Sequence, residues 1–127
     1  MKLEREMMRG AGPTAVLQLL STGEFYGYEL VEALERQSEG VLAIGQSTLY
    51  PLLYNLEAKK LVTSRQADGP NGRPRRYYRL TAKGKKKLKS DKQQWVALQT
   101  GMTALGVTFG GLAVERASCP LPQGGTA

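Results

Sequence analysis

Between residues 45 and 80 the apolar period changes in a way that few folds accommodate. In GQSTLYPLLYNLEAKK, residues 45–60, the leucines at 49, 52, 53 and 56 follow the i, i+3, i+4, i+7 spacing of a helix with one buried face. From residue 61 the spacing shifts. Residues 61–67 read as a strand, Asp68-Gly69-Pro70-Asn71-Gly72 is a run of turn formers, and residues 75–80 read as the returning strand. Val62, Tyr78 and Leu80 then share the buried face of a hairpin and leave its arginines outside. Pro51 limits where the helix begins. Proline is tolerated in the first turn, so the start is expected near Ser47 or Thr48, with one of those hydroxyls as cap.

The elements around this unit are helical. Gly12-Pro13-Thr14 is expected to open a first helix with Pro13 at its first position, Val16, Leu17, Leu19 and Leu20 on its apolar side and Gly23 at its end. Residues 1–11 are read as a further helical arm. A second helix is expected over residues 27–37, with Leu30, Val31 and Leu34 inward and Glu29, Glu32, Glu35 and Glu39 solvated. Ser38-Glu39-Gly40 breaks it. Thr81 caps a last helix that starts as a lysine run. That helix continues through Trp95, Leu98, Met102, Leu105, Phe109 and Leu112, whose spacing makes a coiled-coil-like seam weakened by Gly101, Gly106, Gly110 and Gly111.

Helix, helix, helix, hairpin, helix is the plan of a winged helix-turn-helix. The fold class expected is therefore mainly α with a small β-hairpin. Residues 1–81 form the winged helix-turn-helix DNA-binding domain, 82–114 the C-terminal dimerisation helix and 115–127 a disordered tail. The third helix suits the groove. Its outward side carries Ser47, Tyr50, Pro51, Tyr54 and Ala58, beside Gln46 and Thr48, where an ordinary solvated face would be charged. These hydroxyl, amide and aromatic groups can bond to base edges and phosphates or pack on a thymine methyl. Arg73, Arg75 and Arg76 flank the hairpin turn, where guanidinium groups can pair with phosphates. The alternatives are a helix that buries Tyr50 and Tyr54 against another element, and a hairpin loop that holds no fixed partner.

Charge agrees with a polyanion partner. Residues 59–92 hold 13 basic and two acidic residues, a net +11, while the rest of the 127-residue chain carries −4. Catalysis is not expected. The chain has no histidine, the usual general base and metal ligand, and no phosphate-cradling glycine loop. The lone Cys119 excludes a disulfide framework or thiolate cluster and fits a reducing cytoplasm; no cofactor is expected. The N-terminal MKLEREMMRGAG does not read as a secretory signal. Residues 96–114 are uncharged and contain a GxxxG. However, Gln99, three threonines and four glycines argue against a membrane span. A non-specific RNA- or ribosome-binding module would account for the charge but not for the uncharged tyrosine face.

STLYPLLYNLEAKKLV followed by GRPRRYYRLTAKGKKKL closely resembles the PadR family of bacterial regulators. LQLLSTGEFYGYEL, with its Tyr26-Gly27-Tyr28 element, is similar to that family's first two helices. The resemblance covers about residues 9–90. It implies a homodimer paired through the last helix and repression through a dyad-symmetric DNA operator, often relieved by a small molecule. It also puts Gln46, Ser47, Thr48, Tyr50 and Pro51 on the recognition helix, Arg73, Arg75 and Arg76 on the wing, and Tyr26 and Tyr28 at the start of the second helix, near phosphates. Trp95, with Leu98, Met102 and Leu105, is either a plain dimer anchor or part of a cavity for a small aromatic effector.

Overall fold

The structure is a computed structural model that describes residues 1–108. Its elements run α1 (Arg5–Leu20), β1 (Phe25–Tyr26), α2 (Gly27–Gln37), α3 (Gln46–Ala58), β2 (Val62–Asp68), β3 (Pro74–Leu80) and α4 (Ala82–Leu105). The fold is mainly helical with a small antiparallel sheet, the winged helix-turn-helix architecture. The chain divides into two units, Met1–Ser90 and Asp91–Ala127.

In the first unit the three helices meet through their leucines. Val16, Leu17 and Leu20 of α1 join Leu30 and Leu34 of α2 and Leu49, Leu53 and Leu56 of α3 in one core, closed by Leu61, Val62, Tyr78 and Leu88. One close approach and one cap hold the start of the last helix in this packing. A side chain on Gly84 would collide with the Leu61 carbonyl and come within 2.9 Å of Leu80 Cδ1, so only glycine lets the first turns of α4 lie against the sheet. Thr81 caps that helix, accepting from the Gly84 N–H at 2.9 Å. With Gly84 and Leu88 buried, the start of α4 packs as part of the first unit.

Three expectations of the sequence are corrected. The first helix does not begin at Pro13. One helix runs from Arg5, with Pro13 in its interior, so there is no separate arm. The Arg9 carbonyl, which loses its i+4 donor, lies on an exposed residue, where water can serve it. The N-terminal segment is tied down by the Leu3 N–H, which donates to the Val41 carbonyl at 3.1 Å. Neither Ser47 nor Thr48 caps α3. Gly45 is the N-cap and makes no side-chain cap bond, and Pro51 stands in the second turn. Glu29 is not a solvated residue of α2: it is half-buried and its Oε1 accepts the Tyr26 N–H at 3.0 Å, closing the helix start.

The hairpin acquires a third strand. β1 pairs with β3 (Phe25 opposite Tyr78, Tyr26 opposite Tyr77), giving the order β1-β3-β2. β2 and β3 pair from Val62 opposite Leu80 to Asp68 opposite Pro74. The tip closes through the Gly69 N–H to the Arg73 carbonyl at 2.7 Å, with Gly72 at φ 80°, a backbone conformation suited to glycine.

In the second unit, α4 continues to Leu105 and stops at Gly106, φ 92°, where the Val107 N–H returns to the Met102 carbonyl at 2.8 Å. The expected 82–114 helix is described only as far as Leu105 and the turn that follows it. Phe109 and Leu112 of the seam, and the tail at 115–127, lie outside the described residues. No helix among the described residues is long and apolar enough to cross a membrane.

Candidate nucleic-acid interface

With Leu49, Leu53 and Leu56 fixed in the core, α3 turns Gln46, Ser47, Tyr50, Pro51 and Tyr54 outward. Tyr54 is 73 % exposed and Tyr50 44 %. Because Gly45 serves as the cap, the Ser47 and Thr48 hydroxyls are not used to close the helix, and both residues are exposed. Pro51 has no N–H for the Ser47 carbonyl, which leaves one more acceptor near the exposed start of α3.

Tyr50 owes its position to Gly27. A Cβ at residue 27 would run into the Tyr50 hydroxyl and lie 2.7 Å from Cζ, so the phenol lies directly over the first turn of α2. This gives Tyr26-Gly27-Tyr28 a physical meaning. Gly27 admits the Tyr50 ring, Tyr26 is the N-cap of α2, and Tyr28 is exposed.

Strand alternation splits the wing arginines. Arg76 shares a strand face with Tyr78, although the residue itself stays exposed. Its Nη1 donates to Ser64 Oγ at 3.1 Å, and Ser64 in turn donates to Glu57 Oε2 of α3 at 2.7 Å. The wing is thereby tied to α3. Burial, and then the Glu57 charge, raise the pKa of Tyr78 above the ordinary phenol value.

Arg75 points to the other face. Its guanidinium lies 4.2 Å over the Tyr26 ring, which meets Tyr77 edge-on at 5.6 Å. Arg65 lies 5.3 Å over Tyr77 and makes two bonds to Glu24, at 2.7 and 2.8 Å. The bond from Arg65 holds the Glu24 carboxyl below the usual carboxylate range. Arg73 is exposed in the turn. A continuous path of contacts therefore runs from Arg75 through Tyr26 and Gly27 to Tyr50.

Sequence reasoning missed Gly27, Ser64, Glu57, Arg65 and Tyr77. Only the strand register could have revealed the last two, because it sets Arg65 opposite Tyr77. In the second unit, Trp95, Leu98, Met102 and Leu105 are all exposed, Trp95 at 43 %. Among the described residues no group of three or more Cys, Asp or Glu is placed to hold a metal ion.

Comparison with known proteins agrees with the fold. The sequence model of the PadR-like family of transcriptional regulators matches residues 16–90. A transcriptional regulator of Mycobacterium tuberculosis is 35 % identical over 89 residues, 70 % of this chain and 79 % of that protein. The crystal structure of a PadR-like transcriptional regulator from Bacillus cereus superposes with a TM-score of 0.70 at 30 % identity, over 79 % of this chain and 95 % of that one. Bacillus subtilis PadR, solved in complex with operator DNA, gives a TM-score of 0.58 at 26 % identity, over 63 % of this chain and 44 % of that protein.

Proposed function

The chain belongs to the PadR-like family of transcriptional regulators, a DNA-binding and non-enzymatic group, and from that membership we propose a sequence-specific repressor that binds a dyad-symmetric operator as a homodimer. The observation that carries this reading is the outward face of α3, which is exposed yet uncharged. A helix braced by leucines and bearing an amide, hydroxyls and phenols is equipped for base edges in the major groove. Gln46, Ser47, Thr48, Tyr50, Pro51 and Tyr54 form the reading face. Arg73, Arg75 and Arg76 hold phosphates from the wing, and Tyr26 and Tyr28 do so from the start of α2. The similarity to a PadR solved on operator DNA supports the same mode here.

One winged helix offers few base contacts, and pairing doubles them. Trp95, Leu98, Met102 and Leu105 form an exposed apolar stripe on the 3-4-3 spacing, which a second copy covers in the dimer. The protein works in the cytoplasm, on the chromosome.

The test is a titration of the duplex upstream of the protein's own gene against a scrambled duplex, at two salt concentrations. A repressor keeps a preference of at least about 10³-fold near physiological salt. Equal affinity for both duplexes would reject sequence-specific regulation in favour of a non-specific basic module.

A further inference from the structure

A groove of about 740 Å³ opens along one flank of α3. Its α3 wall is Thr48, Leu52 and Asn55. At 3.6 residues per turn these lie on the side of the helix opposite Tyr50 and Glu57, the residues that face Gly27 and the wing. The floor is apolar, with Ile44 in the core and Met8 and Leu52 packed against it. The far rim is cationic: Lys2, Arg5 and Arg9 line it, and no Asp or Glu does. Glu4 and Glu6, on the same segment, are not part of the lining.

This concentration is not a by-product of the basic stretch. Only five Lys and Arg residues of the chain lie outside residues 59–92, and three of them are these. None of the three is held in an ion pair by a carboxylate among the described residues. Arg5 and Arg9 stand one turn apart on α1 and so share a face. Their segment is anchored at Leu3 to the loop before α3.

A helix seated in a major groove has a sugar–phosphate strand on each side of it. The wing meets one. We infer that Lys2, Arg5 and Arg9 form a second phosphate-binding edge, which grips the strand passing the opposite flank of α3. The inference rests on the duplex-binding role proposed above. A DNA strand matches the groove in kind: its phosphates suit the cationic rim, and the apolar faces of its deoxyriboses suit the floor. The edge adds affinity and fixes the tilt of α3 without reading sequence.

The experiment uses the full chain and two variants, Lys2→Gln/Arg5→Gln/Arg9→Gln and the charge-retaining Arg5→Lys/Arg9→Lys. Affinity for the upstream and scrambled duplexes is measured across a salt series, with sedimentation in parallel. Each phosphate contact contributes about 0.9 to the slope of log affinity against log salt, so the glutamine variant should lose roughly two to three from the slope. It should weaken on both duplexes alike and keep the parent's oligomeric state, while the lysine variant should keep the parental slope. An unchanged slope in the glutamine variant overturns the inference. So does a shift to monomer, which would make the groove a seat for a second copy. Failure of the regulator reading shows separately, as a parent protein without preference between duplexes. Even then the slope difference between parent and variant reports on the edge.

Discussion

The outward face of α3 and the wing are built by opposite means. The α3 face is neutral and is positioned from behind, by leucines that pack the helix into the core. The wing is charged and is positioned from its surface, by Arg75 over Tyr26, Arg65 on Glu24, and Arg76 through Ser64 to Glu57. The contrast fits two tasks. Discrimination between bases needs donors and acceptors held within a few tenths of an ångström. Phosphate binding tolerates a softer mount, because charge acts over a longer range. Damage to the first region should therefore appear as lost preference, and damage to the second as lost salt dependence.

The largest expected effect is on the mount of α3. Leu53→Ala empties a fully buried position and should cost about 2–5 kcal/mol of stability in urea unfolding. A loss below 1 kcal/mol would mean that the core does not fix α3 as described. Gly27→Ala comes next. The new methyl meets the Tyr50 ring and should cost roughly 1–3 kcal/mol, with a fall in operator preference but no change in salt slope. Adding Tyr50→Ala should recover the stability and not the preference, which separates steric strain from readout.

Arg75→Ala tests the wing. It should weaken both duplexes to the same degree and lower the salt slope by about one. A loss confined to the operator would give the wing a role in reading bases and erase the contrast between the two regions. Glu24→Gln should have the smallest effect, since the Arg65–Glu24 pair is solvent-exposed. The Glu24 pKa lies below its ordinary value in the fold, so the pair's contribution is present above that ordinary value and declines as pH falls through the lowered one. Thermal unfolding from neutral into acid pH should therefore fall less steeply in Glu24→Gln than in the parent. Parallel curves would leave the pair without a part in stability.

The helices were legible because each carries enough leucines to display its period, and the hairpin because its turn residues are dense. The errors have local causes. Pro13 looked like a helix start because proline is most often tolerated there, but an exposed carbonyl one turn back allowed it inside α1. β1 is two residues long, too short to show alternation, and exists only because β3 offers Phe25 and Tyr26 an edge. Glu29 matched its solvated neighbours in type and was drawn out of that role by the Tyr26 N–H. The wing arginines looked equivalent in type; alternation along β3 sends Arg75 and Arg76 to opposite faces, and only the tertiary structure supplied their partners, Tyr26 and Ser64.

Composition and spacing alone determined that three leucine-faced helices and a cationic hairpin follow one another, and that the third helix bears an uncharged outer side. Such properties follow from periodicity within a single element. The tertiary structure decided what crosses between elements: the Tyr50 ring on Gly27, the bond of Ser64 to Glu57, and Lys2, Arg5 and Arg9 along the far flank of α3. Those contacts join residues 7 to more than 40 positions apart, and the order of residues along the chain holds no record of a distance set only when the core closes.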